Sequence, residues 1–186
     1  LSLYEQRLSR ELEYIRTAGL EPYIADMTEL VDYARSQGIM VGPGRSAAPS
    51  SLTLYLLGVT GIDPVANGLL FERWLSNPVI ETDVERDRRE ELVDHLWKRY
   101  GSEHTAYIST YRRNKETGDI IDRDIHAASY AISSDPIEDV MPTWKTPLGR
   151  LVINADCDAV KASGISVVTM LGMTELGAIA EASRRI

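Results

Sequence analysis

Asn77-Pro78-Val79-Ile80-Glu81-Thr82-Asp83-Val84 is the stretch on which the reading of this chain turns. In an extended strand side chains alternate between faces, which puts Val79, Glu81 and Asp83 on one side. At roughly 3.3 Å rise per residue the two acids stand about 7 Å apart along one edge. Carboxylates so placed suit a divalent metal, and phosphoryl-transfer sites use them to set two Mg²⁺ ions on the attacking and leaving oxygens. The charged run Glu85-Arg86-Asp87-Arg88-Arg89-Glu90 then opens a helix over 85–100, with Leu92, Leu96 and Tyr100 inward and Gly101 at its end.

Upstream of this strand, residues 4–18 put Tyr4, Leu8, Leu12, Ile15 and Ala18 on one helical stripe, stopped by Gly19. A second helix is expected to begin at Asp26, with Glu29 completing a capping box, and to bury Met27, Leu30, Val31 and Ala34 before Gly38. Ile39-Met40-Val41 reads as a short strand entering the turn Gly42-Pro43-Gly44-Arg45. Ser50 or Ser51 opens a helix through Leu57, and Asp63-Pro64 marks a turn.

Downstream, Thr105–Ser109, Ala127–Ile132, Leu151–Ile153 and Ile165–Met170 read as strands. Arg112–Gly118 is a polar hairpin or surface loop. Asp156–Ala162 is a short helix stopped by Gly164, and Thr174–Ile186 is the last helix.

With 186 residues the chain is long enough for one domain with a real core. No apolar run approaches a membrane span, and the opening residues do not resemble a signal peptide. Cys157 is the single cysteine, which excludes an internal disulfide and suits a reducing cytoplasm. A net charge of −8 weighs against a dominant nucleic-acid footprint. Arg112, Arg113 and Lys115 form a compact basic cluster, read either as a solvated tip or as a DNA contact. His95 and His104 lack partners at zinc spacing. His126 is read as structural, and Cys157 has no adjacent His with which to form a nucleophilic pair. Gly42-Pro43-Gly44 is not a Walker loop, since no Gly-Lys-Ser/Thr follows it.

Several stretches together carry a family resemblance. They are Leu8–Ile15, Ile39-Met40-Val41-Gly42-Pro43-Gly44-Arg45-Ser46-Ala47-Ala48, Leu56-Leu57-Gly58-Val59-Thr60-Gly61-Ile62-Asp63-Pro64 and Leu70-Phe71-Glu72-Arg73-Trp74-Leu75. The carboxylate strand, Arg88-Arg89-Glu90, Lys98-Arg99-Tyr100-Gly101, Ile125-His126-Ala127-Ala128 and Leu171-Gly172-Met173 continue them. In this order they resemble the bacterial family C DNA polymerases, the replicative polymerase III alpha subunit and its error-prone relatives. The resemblance implies an α+β palm of the polymerase β-like nucleotidyltransferase type, a central mixed sheet with flanking helices. It further implies one palm-like domain over 1–186: a first segment 1–110, a short connection 111–125 in place of the family's thumb, and a second segment 126–186. It covers no fingers, no histidinol-phosphatase-like domain and no clamp-binding tail.

The departures from the family pattern concern chemistry. The family palm uses three aspartates, two on the carboxylate strand and a third in a late strand just before Leu-Gly. These positions fall on Glu81, Asp83 and Thr169, while a further acidic position falls on Val79 and a lysine position on Val167. The phosphate-cradling Gly-Ser step after Gly44-Arg45 is Ser46-Ala47 here, with Pro49 nearby. Glu81 lengthens the arm by one methylene where Mg²⁺ tolerates little displacement. Thr169 offers a neutral hydroxyl in place of an anionic ligand and base.

The expectation is therefore a degenerate palm without polymerase activity, acting in DNA replication or repair as an accessory or protein-docking module. Glu81 and Asp83 are its vestigial catalytic and metal residues, unless they are a solvated edge or salt-bridge partners of Arg88 or Arg89. Gly44, Arg45 and Arg73 are its phosphate-binding candidates, although Arg45 also reads as a surface charge and Arg73 as a salt-bridge partner near Glu72. No cofactor is expected; Mg²⁺ or Mn²⁺ enters only with residual activity. The main partner is expected to be a protein, with primer–template DNA a weaker one and no membrane. The expected location is the cytoplasm, at the nucleoid in a bacterium. The alternatives are a weakly active two-metal DNA polymerase, completed by an acid such as Asp156, and a DNA-binding module without catalysis.

Overall fold

The computed structural model describes residues 2–185. Its strands are β1 (Glu81–Glu85), β2 (Thr105–Arg113), β3 (Ile120–Ile132), β4 (Thr143–Lys145), β5 (Leu151–Ile153) and β6 (Ser166–Met173). They are ordered β1-β6-β3-β2-β5-β4 in a mixed sheet with flanking helices. The chain divides into two compact units, one reaching to Leu92 and resuming at Met170, the other covering Val93–Thr169.

In the first unit, helix α1 (Leu3–Thr17) starts at a complete capping box between Ser2 and Glu5. Its stripe differs from the sequence reading. Ile15 is buried, but Tyr4 and Leu12 are 42% and 43% exposed and Ala18 is exposed, while Glu11 is fully buried. The cause is polar: the Glu11 carboxylate satisfies the start of helix α3 (Leu52–Leu56), taking hydrogen bonds from the Leu52 and Thr53 amides, both at 2.9 Å. Helix α2 (Glu21–Ser36) begins five residues before Asp26, the start expected from the sequence. Pro22 near its N-terminus fits there because a first-turn N–H has no intrahelical acceptor, so no Asp26–Glu29 box forms. Its expected apolar stripe is buried throughout.

Ile39-Met40-Val41 is not a full strand. It makes one antiparallel bridge, Val41 to Val84, flanked by Gly42 N–H to Asp83 O at 2.8 Å and Glu85 N–H to Met40 O at 3.2 Å. Ser51 caps α3, as one of the two expected serines should. A short helix α4 (Glu72–Leu75), not anticipated from the sequence, buries Trp74. Phe71 meets Trp74 at 5.9 Å and Tyr14 edge-on at 5.8 Å.

Strand β1 is shorter at its start than the sequence suggests, so Val79 lies outside it. Pro78 has no N–H to give a ladder, and the Ile80 amide is taken by the Tyr23 hydroxyl at 2.8 Å. At the other end Glu85 stays in the strand. A 3₁₀ turn (Arg86–Arg88) precedes helix α5 (Arg89–Tyr100), which therefore starts later than residue 85. Glu85 is 3% exposed: it accepts the Met40 amide at 2.6 Å and two hydrogen bonds from Arg184, both at 3.0 Å. Arg184 ends helix α8 (Thr174–Arg184); the expected end at Ile186 falls outside the described residues.

In the second unit, β2 and β3 form one antiparallel hairpin, each longer than its sequence motif. Among the described residues other strands pair only with the base of this hairpin: β5 beside Tyr107 and Ile108, and β6 beside Ser129–Ile132. Beyond it, residues 109–113 and 120–125 pair with each other as a two-stranded ribbon. The turn is tied by Asn114 N–H to Asp119 O and Gly118 N–H to Asn114 O. Thus 111–125 is the upper part of a hairpin. Strand β4 and helix α6 (Ile137–Val140), both unanticipated, lie next to one another in sequence. Ala106, Ile108, Ala131, Leu151, Ile153, Val160 and Val167 build the core of this unit. Helix α7 (Cys157–Ala162) starts one residue later than expected, because Asp156 is its cap and accepts Ala159 N–H at 3.0 Å.

Candidate active site on the carboxylate strand

Within β1 the side chains alternate as the sequence predicts: Thr82 and Val84 are buried, while Glu81 and Asp83 are half-buried on the other face. The loop after residue 41 lies directly against them. A Cβ at Gly42 would stand 3.0 Å from the Asp83 Cβ. At Gly44, φ is +114° and a Cβ would meet Pro49 and Thr60 carbons at 3.0 Å, so both the conformation and the space call for glycine. The Gly61 amide holds this loop by donating to Pro43 O at 2.8 Å.

This loop delivers two partners to the acids. Arg45 Nη1 lies 3.1 Å from Asp83 Oδ1, and Ser46 Oγ donates to Glu81 Oε2 at 2.6 Å. Ser46 has φ +56°, a left-handed conformation unusual for a residue with a side chain. That geometry suits the glycine which the family resemblance places at this step. Arg88 and Arg89, expected partners of the acids, go elsewhere: Arg88 forks onto Glu91 at 2.7 and 2.8 Å, and Arg89 sits 3.7 Å from Glu90. Behind the strand, the Tyr23 hydroxyl donates to Ile80 O at 3.3 Å as well as accepting Ile80 N–H. Burial pushes its phenol up to about 12, partly opposed by the Ile80 N–H that its oxygen accepts and assisted by the Glu81 charge.

The remaining candidates lie on other elements. Arg73 is exposed on α4, and it is Arg10 that pairs with Glu72. Thr169 belongs to the second unit, where it is 8% exposed and shares a 3.0 Å hydrogen bond with Ser129. On the hairpin, Arg112 pairs with its cross-strand neighbour Asp122 at 3.1 Å, and Arg113 donates to Gly118 O at 3.2 Å. Lys115 lies in the turn. Residues 111–125 hold four basic and four acidic side chains, so the basic cluster is locally neutralised. His126 Nδ1 accepts the Ala128 and Ser129 amides, a structural use, and burial and Lys161 lower its pKa. Burial raises the half-buried Cys157 thiol, which keeps it protonated.

Each acid offered by the sequence as a metal ligand has a protein partner. The two strand acids are engaged by Arg45 and Ser46, and Asp156 serves as a helix cap. Among the described residues no group of three or more His, Cys, Asp or Glu is placed to hold a metal ion. The sequence reading missed Glu11 and Glu85, the two acids the fold buries. Arg7 and Glu11, four residues apart, were a usable signal for the first. Nothing local pointed from Glu85 to Arg184.

A family profile described as "Bacterial DNA polymerase III alpha NTPase domain" matches residues 2–122. The chain belongs to that family. It is 40% identical over 118 residues to a DNA polymerase III subunit alpha of Ureaplasma parvum, covering 61% of this chain and 12% of that protein. To an error-prone DNA polymerase of Nocardia farcinica it is 31% identical over 230 residues, covering 94% of this chain and 20% of the other. To a DNA polymerase III subunit alpha of Mycobacterium tuberculosis it is 27% identical over 260 residues, covering 96% and 22%. The chain thus spans about a fifth or less of the first two of these polymerases. The last two matches are longer than the 186 residues of this chain, so those relatives carry inserted residues within the matched span. Among the described residues no helix is long and apolar enough to cross a membrane.

Proposed function

We propose that this chain is a non-catalytic palm of the DNA polymerase III alpha type, serving DNA replication or repair as an accessory that docks a protein. In this reading residues 1–186 form one palm-like domain of polymerase β-like nucleotidyltransferase type, with 111–125 standing where relatives carry a thumb. The extra length of the Nocardia and Mycobacterium matches supports that assignment. So does the end of the family match at residue 122, within the hairpin.

One observation supports the loss of catalysis: Arg45 and Ser46 each hold one carboxylate oxygen of the acids, Asp83 Oδ1 and Glu81 Oε2, and so compete with a metal for them. The test is primer extension with Mg²⁺ and with Mn²⁺, next to an active family polymerase. No extension is expected, and turnover with either ion would overturn the reading.

A second reading, a weak two-metal polymerase, draws on Glu81 and Asp83 sharing one half-buried face. It requires Mn²⁺ binding that Glu81→Gln and Asp83→Asn abolish. The reading as a DNA module rests on Arg112, Arg113 and Lys115. It requires the Arg112→Ala/Arg113→Ala variant to flatten the salt dependence of primer–template binding. The setting that goes with the main proposal is the cytoplasm, at the nucleoid.

A further inference from the structure

The first unit has a groove of about 770 Å³ bounded by α1, α2 and the end of α3. We propose that it docks a basic amphipathic helix of a partner protein. Leu12, Ile15, Ile24 and Leu57 line it with apolar surface. Leu12 and Leu57 are each 43% exposed, so two large aliphatic side chains meet water in the groove. Exposed leucines gathered on a concave surface mark an interaction site more than scattered ones do.

Charge selects the occupant. Glu21 and Asp32 line the same groove and are exposed, whereas no Lys, Arg or His lines it. An anionic lipid surface would be repelled by such a lining, and an acidic peptide likewise. Spacing selects the form. Glu21 and Asp32 both lie on α2, about three turns or roughly 16 Å apart. A helix that seats apolar anchors at i, i+4 and i+7 spans roughly 10 Å, leaving its flanking residues opposite the two acids. The occupant is therefore a helix with leucine-class anchors and Lys or Arg at both ends. This inference rests on the docking role proposed above and not on the loss of catalysis.

The probe is a labelled synthetic helix with Leu at i, i+4 and i+7 and Lys at both ends, titrated with the whole chain and followed by fluorescence anisotropy. Saturable binding that weakens with salt is expected. Glu21→Lys/Asp32→Lys should weaken it about tenfold and favour an otherwise identical peptide with Glu at its ends. Leu57→Glu, an exposed change whose folding circular dichroism checks, should abolish binding of both peptides. Equal binding of a version with Ser in place of Leu would overturn the proposal. So would unchanged preference in the charge-reversed variant, or stronger binding to anionic vesicles than to the peptide. Primer extension on the same preparation separates the two readings: a silent enzyme that ignores the peptide sinks the groove alone, and an active one that binds it sinks only the non-catalytic reading.

Discussion

Glu11 on α1 accepts four hydrogen bonds, from Arg7 Nε, Ser51 Oγ and the Leu52 and Thr53 amides, with no part of it exposed. Asp83 on β1, in the same compact unit, meets the single guanidinium of Arg45 with its side chain 19% exposed. Burial without such donors would be prohibitive for a carboxylate, so the donors around Glu11 are a condition of the fold. Asp83 is under no such demand, because water reaches it. Its pairing with Arg45 sets what the acid is available to bind, and contributes little to whether the chain folds.

The sharpest way to break this contrast is Glu11→Ala beside Asp83→Asn. The first leaves Arg7 Nε, the Ser51 hydroxyl and two helix-start amides without their acceptor and should cost about 3–5 kcal/mol in urea unfolding; the second should cost less than about 1 kcal/mol. Equal costs would mean that the two acids are held alike.

Tyr23 gives the next largest effect. Its phenol is pushed up to about 12 from the ordinary tyrosine value of 10.0, so the unfolded chain gives up this proton first as pH rises. The stability it confers is whole below pH 10 and is lost as pH climbs through about 12. A two-unit shift is worth about 2–3 kcal/mol, and Tyr23→Phe should remove that share of the alkaline slope. A slope identical in Tyr23→Phe would show that Ile80 and β1 do not depend on the buried hydroxyl.

Ser46 probes the backbone of the loop. Because its φ is +56°, Ser46→Gly should be more stable than Ser46→Ala by about 1 kcal/mol, since both lose the bond to Glu81 and only glycine relaxes. Thermal unfolding of the pair reads this directly. Smallest of all, Arg45→Ala should change stability by less than about 0.5 kcal/mol while strengthening Mn²⁺ binding, followed by paramagnetic resonance. Unchanged Mn²⁺ binding would show that the guanidinium is not what withholds Asp83.

Regular patterns were legible in the sequence where one interaction dominated. The α2 stripe, the alternation at Glu81–Asp83 and the cap at Ser51 all follow from local periodicity or local hydrogen bonding. Misreadings arose where a distant group took over a local one. Burial of Glu11 had no local signature beyond Arg7, because its other donors lie forty residues on, at Ser51, Leu52 and Thr53. Glu85 was read as the first helical residue, but Arg184, 99 residues away, holds it in the strand. The hairpin arms were read short because their exposed ends carry mixed charges with no alternation of burial. At the site, the acids were legible from their spacing; Arg45 and Ser46 as their partners were not, since only the path of the Gly42–Gly44 loop brings them there.

The β2–β3 ribbon has a consequence in polymer terms. Its turn closes over Asn114–Asp119, far along the arms from the Tyr107–Tyr130 pair at its base, where β5 and β6 add their own hydrogen bonds. A segment spliced into that turn would leave the pairing at the base untouched. Its entropic charge grows only with the logarithm of its length, about 0.6 kcal/mol for each doubling. Gaining or shedding a whole module at this tip is therefore a nearly level step in free energy, and the ribbon acts as a socket whose contents can change while the strands that anchor it stay as they are.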